Sequence, residues 1–213
     1  MIQKTRVILV DDHNVVRSGL RRLLELSGDI DVVAEASSGE QACQIYNEFQ
    51  ANVLVMDLSM PGIGGLEALR RILISSPKAK VIIFSMHENT TFATQALSSG
   101  AKAYVIKSGL ADDLLMAVRE VATGKTYISP CLAQKIALKT ISGEEDPIQR
   151  LSAREFEVFR LLAEGLSIES IANTLNISQK TAANYQTLLK QKLGISSAVE
   201  LVRLAIQYGV IID

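Results

Sequence analysis

Four short apolar runs in the first half of the chain each end in, or run straight into, a polar residue. Asp11 and Asp12 follow VILV, Asp57 follows VLVM, Ser85 closes VIIFS, and Lys107 follows AYVI. A continuous run of this length, without polar alternation, suits a strand buried on both faces, as in a parallel sheet. In an open parallel α/β sheet the carboxyl ends of the strands lie on one edge, where ligands bind. Three carboxylates, a hydroxyl and an ammonium are therefore expected to converge. Such a site suits a divalent cation and a phosphoryl group.

The rest of the first 124 residues supports that sheet. Strands are predicted near 6–10, 31–36, 53–57, 80–85 and 103–106, and amphipathic stretches separate them. Val16, Leu20, Leu23 and Leu24 form one apolar stripe; Leu66, Leu69, Ile72 and Leu73 form another. Gly28, Gly100 and Gly124 stand where such helices should stop, and Ser38 with Gln41 reads as a capping box. Five βα units in series imply a doubly wound, five-stranded parallel sheet with right-handed crossovers.

From Lys125 the pattern changes. Residues 125–149 read as a linker, helical over 129–140 and polar through ISGEEDP (141–147). Residues 150–213 read as a small all-α domain of four helices. Ser152 with Glu155 and Ser197 with Glu200 form capping boxes, Ser167 and Ser178 are N-caps, and Gly165 and Gly194 are stops. Helices over 167–174 and 178–192 make a helix-turn-helix packed by Ile171, Leu175 and Ile177. Its second helix carries Lys180, Lys190 and Lys192 and no acid, which suits a major groove.

Charge excludes strong nonspecific attraction to nucleic acid. The chain carries a net charge of −1. Within 151–213, Arg154, Arg160, Lys180, Lys190, Lys192 and Arg203 are balanced by Glu155, Glu157, Glu164, Glu169, Glu200 and Asp213. Useful DNA affinity is then expected to need dimers or paired sites. With no 18-residue apolar window and no signal-peptide pattern at the start, a cytoplasmic protein without membrane contact is expected. Cys43 and Cys131 read as reduced thiols.

Taken singly, an Asp after a strand is ordinarily a turn residue and a Lys there a surface charge; the joint pattern is what points to chemistry. Two carboxylates about 4 Å apart repel by roughly 4 kcal/mol at an effective dielectric near 20, so three of them with a phosphoryl dianion require a cation. Mg²⁺ accepts such oxygen ligands. Asp57 ends the central strand and is the best nucleophile, since an Asp carboxylate can accept a phosphoryl group covalently. Asp11 and Asp12 would hold the metal, Lys107 would neutralise one phosphoryl oxygen, and Ser85 would hydrogen-bond another.

VDDH at 10–13, MDLSMPGIGG at 56–65, Ser85 and GAKAYVIK at 100–107 resemble the receiver domain of two-component response regulators, a flavodoxin-like fold. That resemblance covers residues 4–123. It implies that Asp57 accepts phosphoryl from a sensor histidine kinase. It implies a Mg²⁺ site of Asp12, Asp57 and the main-chain carbonyl of Ser59, with Asp11 assisting. Ser85 and Tyr104 would be the switch pair, and His87 would tune hydrolysis of the aspartyl phosphate. From the residues alone, Tyr104 reads as half-buried packing on an edge strand and His87 as an exposed loop residue. Ser108 stands where many receivers have proline.

LSAREFEVFRLLAEGLS at 151–167, with IA at 171–172, IS at 177–178, KT at 180–181 and KLG at 192–194, resembles the LuxR-type helix-turn-helix. Together the two halves resemble a NarL/FixJ-type response regulator. The resemblance implies double-stranded DNA as a partner and a homodimer on phosphorylation, with Gln179, Lys180, Thr181, Asn184, Gln186 and Lys190 as DNA contacts. Asn184 would read adenine, and Gln186 or Lys180 would hold phosphate. The reading face departs from the family: Ala183 replaces a lysine that often contacts DNA, and Thr187 stands where some members carry another.

The expected mechanism is a phosphorylation-switched transcription factor. An unphosphorylated receiver would hide the DNA-binding helix, and phosphoryl on Asp57 would release it. The last helix, with Val199, Val202 and Ile206, would serve as core or as a dimer contact. Two alternatives stay open. One is a Mg²⁺-dependent aspartyl-phosphate phosphatase or phosphotransferase, although Ser59 stands where such enzymes place a second Asp. The other is a regulator acting on protein or RNA.

Overall fold

The computed structural model describes residues 4–109, 111–142 and 146–211. Residues 143–145, in the middle of the predicted linker, lie outside the described residues. Two compact units emerge: one from residues 1–88 and 96–134, the other from 89–95 and 135–213.

The first unit is built on strands β1 (Thr5–Val10), β2 (Ile30–Ala36), β3 (Val53–Met56), β4 (Val81–Ser85), β5 (Ala103–Ile106) and β6 (Tyr127–Ile128). Among the described residues they form one sheet in the order β2-β1-β3-β4-β5-β6, parallel throughout. Helices α1 (Asn14–Leu26), α2 (Gly39–Ile45), α3 (Gly64–Ser75), α4 (Thr90–Ser98) and α5 (Ala111–Ala122) connect successive strands. The runs that nucleate β1, β3, β4 and β5 are buried along almost their whole length. On one face, Val7, Leu9, Val55, Ile82 and Val105 join Leu114 and Val118 of α5 in a continuous core. Each such side chain contributes about 1.5–3 kcal/mol by leaving water.

The sheet has one strand more than the five predicted. β6 is two residues long, too short for any periodic signal, and it exists because β5 offers it an edge. Ala103 pairs with Tyr127 and Tyr104 with Ile128, and Tyr127 N–H donates to Lys102 O at 3.0 Å. Tyr104 is therefore interior, not on an edge strand, and fully buried.

Local signals account for most helix ends. Gly28, Gly100 and Gly124 follow their helices with φ of 81°, 104° and 95°, the left-handed region where glycine carries no steric cost. At α2 the Ser38 hydroxyl accepts from Gln41 N, but the return bond runs from Ser37 N to Gln41 Oε1, so the expected box is displaced by one residue.

The second unit comprises α6 (Pro130–Ser142) from Lys135 onward, a 3-10 turn (Pro147–Arg150), α7 (Ala153–Ala163), α8 (Ile168–Leu175), α9 (Gln179–Leu193) and α10 (Ala198–Gln207). Capping boxes open α7 and α10 through Ser152/Glu155 and Ser197/Glu200, as predicted. Asn176 (φ 53°) and Gly194 (φ 66°) close α8 and α9 in the left-handed conformation. The first half of α4 belongs to this unit. Phe92 packs edge-on to Phe156 at 5.3 Å, and the Gln95 amide donates to the carbonyls of Ile148 and Leu151. Among the described residues, no helix is long and apolar enough to cross a membrane.

Candidate functional site

Strand order reverses between β1 and β3, and the loops leaving them diverge to opposite faces. That divergence opens a crevice at the carboxyl edge, the usual place for a ligand in an open α/β sheet. β1 delivers Asp11 and Asp12, β3 delivers Asp57, and β5 delivers Lys107. Lys107 Nζ lies 2.7 Å from Asp11 Oδ2 and 2.8 Å from Asp57 Oδ2. One ammonium thus bridges two carboxylates that are 1% and 4% exposed. Carboxylate oxygens of Asp11, Asp12 and Asp57 and a ring nitrogen of His13 lie within 4.8 Å of one another.

The three carboxylates are not equally occupied. Asp11 Oδ1 accepts from His13 N at 2.8 Å, and Oδ2 is held by Lys107. Asp57 Oδ1 accepts from Leu58 N at 2.6 Å and Ser59 N at 3.3 Å. Asp12 differs: its Oδ1 is buried and accepts no hydrogen bond. His13 Nδ1 sits 2.9 Å from that oxygen but outside hydrogen-bonding geometry. A buried carboxylate oxygen left in this way costs about 1–3 kcal/mol or more, and a cation in the cluster would remove the penalty.

Burial pushes the Asp57 carboxyl above its usual value, and the Lys107 hydrogen bond and charge offset only part of that rise. Burial works against the Lys107 ammonium, but hydrogen bonds to Asp11 and Asp57 outweigh it and hold the group above the ordinary lysine range. The site therefore holds a permanent cation beside a carboxylate more basic than usual, which suits a nucleophile facing an anionic electrophile.

Ser85 closes β4 and is fully buried; its main-chain carbonyl accepts from Lys107 N at 2.8 Å. Its hydroxyl accepts from His87 N at 3.1 Å, while the Tyr104 hydroxyl donates to His87 O at 2.9 Å. Both members of the sequence-predicted switch pair thus hold opposite sides of one residue's backbone. The His87 ring, half-buried rather than exposed, has Nε2 2.8 Å from Ser59 Oγ. That bond joins the loops after β3 and β4 across the mouth of the crevice. It went unpredicted because 28 residues separate the partners and neither belongs to a periodic element.

Gly65 was also missed. A Cβ on it would stand 2.3 Å from Asp57 O and 2.7 Å from Leu58 Cα. Only a glycine lets the start of α3 approach the Asp57 backbone, where Gly65 N–H donates to Leu58 O at 2.9 Å. The GG in MDLSMPGIGG was the available signal.

In the second unit, the predicted helix-turn-helix is α8–turn–α9. Ile171, Ala172 and Leu175 of α8 and Ala182 and Leu189 of α9 are buried, with Ile177 half-buried in the turn. Ser178 caps α9 by accepting from Thr181 N, and the Ser178 and Thr181 hydroxyls lie 2.8 Å apart. Gln179, Lys180 and Asn184 are exposed; Thr181, Gln186 and Lys190 are half-buried. Lys192 is engaged with Glu155 at 2.8 Å.

Comparison with known proteins agrees with both halves. Residues 7–119 match the response regulator receiver domain, and residues 149–205 match the bacterial regulatory proteins of the luxR family. The chain is a two-component response regulator with a LuxR-type DNA-binding domain. Response regulator GacA of Pseudomonas aeruginosa is 37% identical over 97% of each chain. Response regulator UvrY of Escherichia coli K12 is 40% identical, over 95% of this regulator and 94% of UvrY. Among solved structures, RcsB from Salmonella enterica serovar Typhimurium, bound to promoter rprA with the phosphomimetic BeF3−, superposes with a TM-score of 0.76. It is 29% identical and covers 95% of this chain and 98% of its own. The regulator thus belongs to a family of transcription regulators, and its acidic crevice lies where receivers generally hold Mg²⁺.

Proposed function

We propose that Asp57 is the phosphoacceptor and that its phosphorylation by a sensor histidine kinase switches DNA binding by the helical unit. The single observation that carries this is the Lys107 bridge between Asp57 and Asp11, beside the unsatisfied Asp12, in a chain that also holds a helix-turn-helix. An Asp57 carboxylate oxygen attacks phosphorus as the phosphorus–nitrogen bond of a phosphohistidine breaks. The electron pair leaves on the imidazole, which gains a proton. Lys107 neutralises one phosphoryl oxygen and Ser85 donates its hydroxyl to another.

Asp12, Asp57 and the Ser59 carbonyl, with Asp11 assisting, would hold Mg²⁺, which supplies charge neutralisation between carboxylates and phosphoryl oxygens. Drawing the Ser85 hydroxyl to the phosphoryl group removes it from His87 N–H. The 85–88 loop runs on into α4, whose first half packs within the helical unit through Phe92 and Gln95, so the displacement has a covalent route to that unit. A homodimer on phosphorylation is expected, because the balanced charge of the helical domain leaves little nonspecific attraction to DNA for a single copy. The protein is read as cytoplasmic and without enzymatic turnover of its own beyond slow loss of the phosphoryl group.

The test is recovery of genomic DNA fragments by the protein with Mg²⁺ and beryllofluoride, with Asp57→Ala as control. Discrete fragments should be enriched only when the mimic and Asp57 are both present. Equal enrichment by Asp57→Ala would refute the switch, and loss of all binding would redirect attention to protein or RNA partners.

A further inference from the structure

The exposed stripe of α9 consists of Lys180, Ala183, Asn184, Thr187, Leu188 and Gln191. These recur at helical spacing on one face, opposite the buried Ala182 and Leu189. From Lys180 to Thr187 the stripe spans about 10 Å, roughly three base-pair steps at about 3.4 Å each.

No arginine stands on this helix, so the commonest bidentate reader of guanine is missing. Of its three lysines, Lys192 is committed to Glu155 and Lys190 is half-buried. Lys180 lies in the first turn, where a phosphate is within reach. Asn184 is the one central amide on the stripe, and an Asn amide pairs with adenine N6 and N7.

The remaining central groups are methyls. The Thr187 hydroxyl donates to Ala183 O at 3.1 Å, tying its proton back into the helix. The Thr181 hydroxyl, 2.8 Å from Ser178 Oγ, is likewise occupied at the cap. Ala183, Thr187 and Leu188 therefore offer apolar carbon to the groove, and the group there that accepts apolar contact is the thymine C5-methyl.

We infer that α9 reads A·T pairs at the centre of each half-site, Asn184 pairing with adenine while Ala183 and the Thr187 methyl pack on thymine methyls, with Lys180 held to phosphate. This rests on the DNA-binding reading above and specifies its target.

The experiment selects binding sites from randomised duplexes with the full-length protein, Mg²⁺ and beryllofluoride, then measures affinity for the selected site. A·T pairs should be enriched at the core positions. Asn184→Ala should flatten the preference at one A·T pair by about 10-fold. Uracil in place of a core thymine, which removes only the methyl, should weaken binding by about fourfold. Thr187→Ser keeps the hydroxyl and loses the methyl, so it should abolish the uracil penalty at one thymine. Asn184 and Thr187 are both exposed, so circular dichroism should be unchanged.

A selected core of guanines whose preference disappears in Lys180→Ala would overturn the inference. So would salt-sensitive binding without sequence enrichment. No binding to any duplex even at low salt would overturn the DNA-binding reading itself.

Discussion

Replacing Lys107 with alanine isolates the charge logic of the phosphoryl site. In the wild type, one ammonium 2.7 and 2.8 Å from two buried carboxylates offsets their mutual repulsion. One oxygen from each carboxylate lies within 4.8 Å of one from the next, so without the cation two unit charges at that separation repel by about 3.5 kcal/mol at an effective dielectric near 20. Removing one partner of a buried pair is expected to cost about 3–5 kcal/mol. Lys107→Ala should therefore lose roughly that much in urea unfolding at about pH 7 with a chelator present.

Excess Mg²⁺ should restore much of the loss, because a dication can do what the ammonium did. Acid should help too. Burial already raises the Asp57 carboxyl, and losing the lysine raises it further, so the folded variant binds protons that the unfolded chain releases. A group raised in this way stabilises fully below its unfolded value and loses that contribution as pH rises through its folded value. The deficit should thus be largest near neutrality and shrink towards about pH 4. The stem of Lys107, whose ammonium lies 5.8 Å from the Phe84 ring, also packs, and Lys107→Met retains it. If the deficit ignored both pH and Mg²⁺, and Lys107→Met repaired it, packing rather than charge would explain the residue.

Three further outcomes follow from particular distances. Gly65→Ala places a Cβ 2.3 Å from Asp57 O; it should cost about 1–3 kcal/mol and slow phosphorylation by acetyl phosphate, seen as a lower rate of phosphoprotein formation on gels. Ser59→Ala removes the 2.8 Å bond to His87; loss of one hydrogen bond worth about 0.5–1.5 kcal/mol should shorten the phosphoryl half-life about threefold. At Glu155, burial raises the carboxyl, but bonds from Lys192 and Ser152 outweigh it and hold the group below its usual value. Its stabilisation is present above the unfolded value and lost as pH falls through the folded one. Glu155→Gln should cost about 1–2 kcal/mol near pH 7, with thermal midpoints converging with those of the wild type below about pH 4.

Strand ends, helix caps and the placing of Asp11, Asp12, Asp57, Ser85 and Lys107 at or just after strand ends were legible in the sequence because each signal is local. A buried strand needs a continuous apolar run, and a helix end needs a residue that satisfies or terminates its hydrogen bonds. The serine at 152 and glutamate at 155 show this well: the box closes on itself within four residues. Tertiary structure alone decided what depends on partners distant in sequence. β6 has no pattern of its own and forms only where β5 presents an edge, which in turn turns Tyr104 from an edge residue into a buried one. Asp12 looks like Asp11 in sequence, yet only packing shows that Asp11 is satisfied on both oxygens while Asp12 has one left over. Likewise, the composition of α9 shows three lysines, and only the fold commits Lys192 to Glu155 and turns Thr187's hydroxyl inward. Local chemistry specifies which groups are available; the three-dimensional pairing of those groups determines which are still free to meet a ligand.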